Sequence, residues 1–304
     1  MFDLLGITPQ VLFSQLLIGL INGSFYAILS LGLAIIFGLL NIINFTHGAQ
    51  YMMGAFVAWI GLTQVPKWTG DPDFVINYWA ALVLVPLVVG AFGVLMERTM
   101  LRRLYKLDHL YGLLLTFGIA LIIEGLFRDW YGVSGQQYGI PEIFQGAINL
   151  GFMFLPKYRA WVVVAALTVC FATWYVIERT KLGSYLRAGT ENPRLTQAFG
   201  VNVPVMIMLT YGYGVALAAF AGVLAAPIFT VSPQMGADLL IIVFAVVVIG
   251  GMGSILGSIL TGIGLGLIEG LTKVFYPEAS AVVIFVIMAI VLLVRPAGLF
   301  GKEQ

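Results

Sequence analysis

Long apolar runs alternate with short hydrophilic connectors from one end of this chain to the other. Crossing about 30 Å of hydrocarbon takes about 20 helical residues. By that measure the runs predict spans over about 11–40, 47–63, 78–96, 111–130, 160–178, 206–227, 238–254, 259–275 and 281–295. The first run is long enough for one tilted helix or a broken pair. The pattern predicts an all-α polytopic transmembrane helix bundle of about 8–10 spans.

Composition agrees. Of 304 residues 10% are charged and 61% apolar, with a mean hydropathy of +1.01, whereas a soluble domain is about a quarter charged. So little hydrophilic mass lies outside the connectors that residues 1–304 read as a single membrane domain with no soluble catalytic part. A net charge of +1 leaves no basic face for nucleic acid. The single cysteine, Cys170, lies inside an apolar run, which excludes disulfides and cysteine metal sites. Residues 1–10 lack the basic start of a signal peptide and no Ala-x-Ala site follows, so the first run is expected to be retained.

Charge placement orients the spans. Eight of the fifteen Lys and Arg residues fall in 97–109 (Arg98, Arg102, Arg103, Lys106) and 179–204 (Arg179, Lys181, Arg187, Arg194). The positive-inside rule puts both connectors in the cytoplasm, together with the tail bearing Arg295 and Lys302. Connectors 64–77, with Asp71 and Asp73, and 131–159 then fall outside. Trp68, Trp79, Trp130, Tyr131, Tyr158 and Trp161 form an aromatic belt at the outer ends of spans. Leu114–Gly132 and Ile259–Pro277 align without gaps, sharing Leu-Thr, Ile-Glu-Gly-Leu and a base four residues after the Glu. This predicts two four-span repeats, 47–178 and 206–295, running in the same direction after an N-terminal segment 11–40. Transporters are commonly built this way, with the pathway near the repeat interface.

Polar residues within the runs are the candidates for chemistry. Asn22, Asn41, Asn44, Thr46, His47 and Gln50 gather around the first two spans. Asn41 and Asn44 share one helix face, with His47 continuing the row if the helix persists. These residues either line a substrate pathway or tie helices together. Glu124–Arg128 and Glu269–Lys273 are acid-to-base pairs at i,i+4, the favourable order on a helix. They read as structural ion pairs or as receptors for a substrate ammonium. Gly250-Gly251-Met252-Gly253-Ser254 lacks the Lys-Ser/Thr of a phosphate loop, whereas Gly257, Gly262, Gly264, Gly266 and Gly270 recur at helical spacing and read as close helix packing. No cofactor motif stands out. His109, the other histidine, lies in a connector, and no carboxylate has metal-ligand spacing.

The connector 184–204, SYLRAGTENPRLTQAFGVNVP, is structured for its length. Thr190 is an N-cap candidate, Glu191 and Pro193 suit a first turn, and Gly200 can end the helix with positive φ. A polar helix of about two turns is expected there, offering a docking surface. The segment resembles the coupling segment of ABC-importer permeases of the branched-chain amino-acid class. Arg187, Ala188, Glu191, Asn192, Pro193, Ala198, Gly200, Val201 and Asn202 match that pattern. Arg194, Leu195 and Thr196 depart from the Glu-Ala-Ala found in many members. Asn22–Phe56 and Val248–Gly262 resemble the same family, the first being specific to the LivH-type subunit. The resemblance implies a permease subunit in the bacterial inner membrane. It would form a heterodimer with a paralogous permease, be driven by two ATPase subunits, and receive amino acids from a periplasmic binding protein. Branched-chain amino acids are the expected substrates, although related permeases serve urea, amides or aromatic acids. No Ser/His/Asp, Cys/His or paired-carboxylate arrangement suggests an enzyme. The rival reading is an ion- or proton-coupled secondary transporter of small polar solutes, distinguished by its energy source.

Overall fold

The computed structural model describes residues 8–40, 44–71, 73–105 and 107–301. Among the described residues, nine apolar helices occupy the nine predicted runs. They are α1 (Pro9–Leu40), α2 (Thr46–Thr63), α4 (Tyr78–Thr99), α5 (His109–Tyr131), α6 (Lys157–Arg179), α9 (Val203–Ala225), α10 (Met235–Gly250), α11 (Ile255–Phe275) and α12 (Val283–Val294). Between them lie the short α3 (Val65–Thr69), a hairpin of β1 (Ala147–Asn149) and β2 (Phe154–Pro156), and two connector helices, α7 (Lys181–Glu191) and α8 (Pro193–Ala198). Six of the helices are long and apolar enough to cross a membrane, and the chain is a multi-pass membrane protein. Polar residues start four spans. Asn77, Asp108, Asn202 and Ser254 each accept a backbone N–H of the first turn they precede.

The first run forms one unbroken helix of 32 residues, about 48 Å at 1.5 Å per residue. Two predicted spans are shorter than expected. The helix predicted over 238–254 stops at Gly250, because Gly251 and Gly253 take φ of 97° and 85°. The glycine cluster is therefore a turn, while Gly262, Gly266 and Gly270 of α11 make the close backbone packing expected of their spacing. The tail covers the exposed end of α10: Leu299 N–H donates to Ile249 O (2.8 Å) and Phe300 N–H to Gly250 O (3.2 Å). Those carbonyls have no partner within the helix. α12 is 12 residues long and ends before Pro296.

The described chain divides into two compact units, one of residues 8–31, 140–171 and 242–301, the other of 32–139 and 172–241. Each draws segments from both sides of the coupling connector. In the first unit α1 and α11 pack glycine to glycine. A Cβ on Gly19 would lie 2.5 Å from Gly266 O, one on Gly23 3.0 Å from Ile263 Cα, and one on Gly262 2.6 Å from Ala27 N. The contacts run in opposite order, so the helices are antiparallel. Without a hydrophobic force between helices in lipid, such backbone approach supplies the packing.

In the second unit α9 is the central helix. α4 lies antiparallel to it, with Gly90 against Ala216 and Gly93 against Val215. α2 lies alongside it, with Gly54 against Ala219 and Gly222 against Ala55. α5 runs parallel to α2. Phe45 N–H donates to Thr116 Oγ1 at one level (3.3 Å), and the Trp59 and Tyr131 rings meet at 5.4 Å near the other. These directions agree with those drawn from charge. Of the predicted aromatic belt, Trp68, Trp79 and Trp130 are exposed, but Tyr158 is buried, its ring 5.9 Å from Phe144.

α10 begins deep. A Cβ on Gly48 would lie 2.9 Å from Gly236 C and 3.1 Å from Leu240 Cβ. The first turn of α10 therefore sits beside the first turn of α2, at the level of Thr116 and not at the outer end of α5. The connector after α9 must descend to reach it. Val231 on that path is fully buried and exchanges two backbone hydrogen bonds of 2.8 Å with Gln136. Irregular backbone at membrane depth needs such internal partners.

Candidate pathway and coupling segment

At the junction of α1 and α2, Asn44, Thr46, His47 and Gln50 are all 0–1% exposed. Asn44 lies before the start of α2, so His47 does not continue a helical row from it; Asn41 lies outside the described residues. Asn44 Oδ1 accepts the backbone N–H of Thr46 (3.2 Å) and is also bonded to the Thr46 hydroxyl. Gln50 Nε2 donates to Thr46 Oγ1 (3.1 Å), and Asn44 Nδ2 donates to Gln50 Oε1 (3.4 Å). Thr46 and Gln50 share a face because they are four apart. From α9 the buried hydroxyl of Tyr211 faces the same three side chains without making a hydrogen bond of normal geometry. Asn22 is half-buried on α1, in the other compact unit.

Both predicted ion pairs are formed, at 2.5 Å each. Their surroundings differ. Glu269, 8% exposed, also accepts the Tyr26 hydroxyl at 2.8 Å. Glu124 instead lines a cleft together with Phe45, Phe117, Leu121, Ala237 and Leu240.

A third acid escaped the sequence reading. Glu97, at the C-terminal end of α4, is 2% exposed and accepts the Tyr105 hydroxyl at 2.7 Å. Burial, reinforced by Glu97, holds the Tyr105 phenol well above its ordinary range. Glu97 adjoins a basic connector, where nothing in the local composition marks an acid as buried. The available signal was Tyr105, eight residues on, where the connector folds back.

The coupling connector is two helices and not one. α7 buries Gly183, Leu186 and Gly189 at three-residue intervals and leaves Arg187 and Ala188 outward. Thr190 is not a cap: its hydroxyl bonds Arg187 O within α7 (2.8 Å). Glu191 ends α7 and does not open a helix, so it is not in the first turn expected for it. The cap is Asn192, whose side chain accepts Leu195 N–H (3.1 Å), with Pro193 at the first position of α8. α8 closes on Gly200, with φ of 85°. Gly200 N–H donates to Gln197 O (2.9 Å) and Val201 N–H to Thr196 O (3.4 Å), the paired bonds of a Schellman motif. Asn192, Pro193 and Gly200 thus shape the connector. Leu195 and Phe199 are exposed, Phe199 at 81%.

From residue 15 to 292 the chain matches the family described as the permease component of the branched-chain amino acid transport system. It belongs to that family. The chain is 31% identical to the high-affinity branched-chain amino acid transport system permease protein BraD of Pseudomonas aeruginosa, over 95% of this chain and 96% of that one. With LivH of Escherichia coli identity is 27%, over the same shares. LivM of Salmonella typhimurium, a further permease protein of such a system, is 27% identical over 92% of this chain and 68% of its own. No solved structure matches the chain. The relatives in this family are transport permeases, and the multi-pass fold of this permease fits that role.

Proposed function

We propose that this permease is one membrane-spanning subunit of an ABC importer in the bacterial inner membrane. It pairs with a paralogous permease as a heterodimer, and two separate ATPase subunits drive it. A periplasmic binding protein delivers branched-chain amino acids to it. The observation that best supports this reading is the cytoplasmic pair α7–α8. It is a capped, closed structure where a few residues would have sufficed to connect two spans, and it presents Leu195 and Phe199 outward. An exposed phenylalanine beside an exposed leucine on a polar connector suits a partner's groove. Arg187, Ala188, Glu191 and Ala198 are the neighbours expected to set its register. Residues 47–178 and 206–295 are proposed as parallel halves, a reading that superposition of 114–132 on 259–277 would test. Co-expression with the ATPases and second permease should yield one complex, in which substrate-loaded binding protein stimulates ATP hydrolysis. Uptake should survive an uncoupler while ATP is maintained. Uptake that collapses with the proton gradient would favour a secondary transporter.

A further inference from the structure

We infer that the cleft beside Glu124 is a waypoint for an amino acid with a branched aliphatic side chain, held there by its ammonium group. The inference rests on the transport reading and adds a location and a receptor. Of the two paired intramembrane acids, Glu269 is fully engaged: one carboxylate oxygen accepts from Tyr26 and the other from Lys273, and little of it is exposed. Glu124 is different. Only its Oε1 meets Arg128, and a carboxylate can accept bonds at both oxygens. It borders an open cleft of about 80 Å³, several times the space a single water needs, which admits an ammonium and part of an aliphatic side chain. The rest of the wall is apolar or small: Phe45, Phe117, Leu121 and Leu240, with Ala237 at the start of α10. Phe117, Leu121 and Glu124 form one stripe of α5, because they stand four and three residues apart.

The chemistry selects its ligand. A carboxylate on an apolar wall attracts an ammonium strongly, since little water competes. The branched side chain lies against the phenyl and leucyl groups. Arg128, which keeps further N–H donors beside the pair, can receive the ligand carboxylate. A carboxylic acid of the same skeleton without the ammonium is repelled by Glu124.

The test uses the full chain in membrane vesicles with its co-expressed partner subunits. Cys170 is buried, so Ala237→Cys supplies a single accessible thiol on the cleft wall. Leucine should slow maleimide alkylation of that thiol several-fold, and 4-methylpentanoate should not. Glu124→Gln should abolish the leucine effect. Leu121→Trp, which fills the cleft, should slow alkylation even without ligand and remove any further effect of leucine. Equal protection by both acids, no protection by either, or undiminished protection in Glu124→Gln would overturn the proposal. Should Glu124→Gln not reach the membrane, the comparison of the two acids decides. ATP hydrolysis in the same vesicles, measured with leucine-loaded binding protein added, separates the two readings. Stimulation without protection defeats the waypoint alone, and protection without stimulation defeats the importer alone.

Discussion

Three glycines of the coupling connector face three different environments, and alanine at each should have a different effect. A Cβ on Gly183 would overlap the carbonyl oxygen of Ile177 and lie 2.6 Å from its carbonyl carbon. Those atoms are backbone at the end of α6 and cannot rotate away. Overpacking costs about 1–3 kcal/mol, occasionally more, and overlap with rigid backbone belongs at the top of that range; helix propensity returns about 1 kcal/mol, so Gly183→Ala should lose about 2 kcal/mol or more. A Cβ on Gly189 would meet Met206 Cε at 2.5 Å and the Val203 methyls at 3.6 Å. A methionine tip moves easily, so Gly189→Ala should be neutral or slightly stabilising. Gly200 has nothing within 4 Å of its would-be Cβ but holds φ of 85°. An L-residue there costs about 1–2 kcal/mol by conformation alone, and asparagine, which tolerates that region, should recover much of it.

The assay is thermal denaturation of the detergent-solubilised complex, with substrate-stimulated ATP hydrolysis measured in parallel. Expected damage ranks Gly183→Ala first, then Gly200→Ala, with Gly200→Asn and Gly189→Ala near the parent. Coupling should fall in the same order, because the ends of α6 and α9 take their positions from this connector. A Gly183→Ala protein as stable as Gly189→Ala, or a Gly200→Asn protein as impaired as Gly200→Ala, would refute the reasoning.

Other outcomes follow from single contacts. Gly222→Ala places a methyl on Tyr51 O and 2.8 Å from Ala55 N, forcing α2 and α9 apart; a loss of about 1–3 kcal/mol should appear as a lower denaturation midpoint. The Tyr138 phenol is buried without a hydrogen bond and pushed up to about 12 by burial. Unfolded tyrosine ionises from about 10, so stability should be constant below pH 10 and fall between 10 and 12, by at most about 3 kcal/mol. Tyr138→Phe should shrink the difference between midpoints measured at pH 8 and 11, leaving the share that other buried phenols such as Tyr105 contribute. For topology, cysteines at Arg102 and Gln197 should react with impermeant reagents from the cytoplasmic side and one at Gln145 from outside. Gln197 is exposed where Thr196 is buried, and outside labelling of Gln197 would reverse the orientation.

Much of this was legible because lipid imposes a simple rule. Each span must be long, apolar and internally hydrogen-bonded, so hydropathy located nine helices, and charge gave directions that the α2, α4, α5 and α9 contacts agree with. The ion pairs were legible because an i,i+4 spacing is local. Capping was misread at Thr190 because Thr190, Asn192 and Asn202 all carry capping chemistry, and only the path of the backbone chooses among them. Glu97 was missed for the converse reason: its burial depends on Tyr105 and on the return of the connector, neither of which periodicity encodes. The depth at which α10 starts was equally hidden, since a buried connector and a surface loop can share the composition of 226–234.

That depth bears on how the Asn44 cluster works. The side chains of Asn44, Thr46 and Gln50 close their hydrogen bonds largely on one another, and an amide without a partner in lipid would cost several kcal/mol. A closed network of this kind suits a joint, fixing the start of α2 at the level where α10 also begins. A pathway lining would instead keep free donors and acceptors for its cargo. Tyr211 is the member whose hydroxyl remains without a bond, and it stands on α9, the span that leaves the coupling connector. A single helix therefore links that connector to the joint, with Tyr211 about two turns from the start of α9.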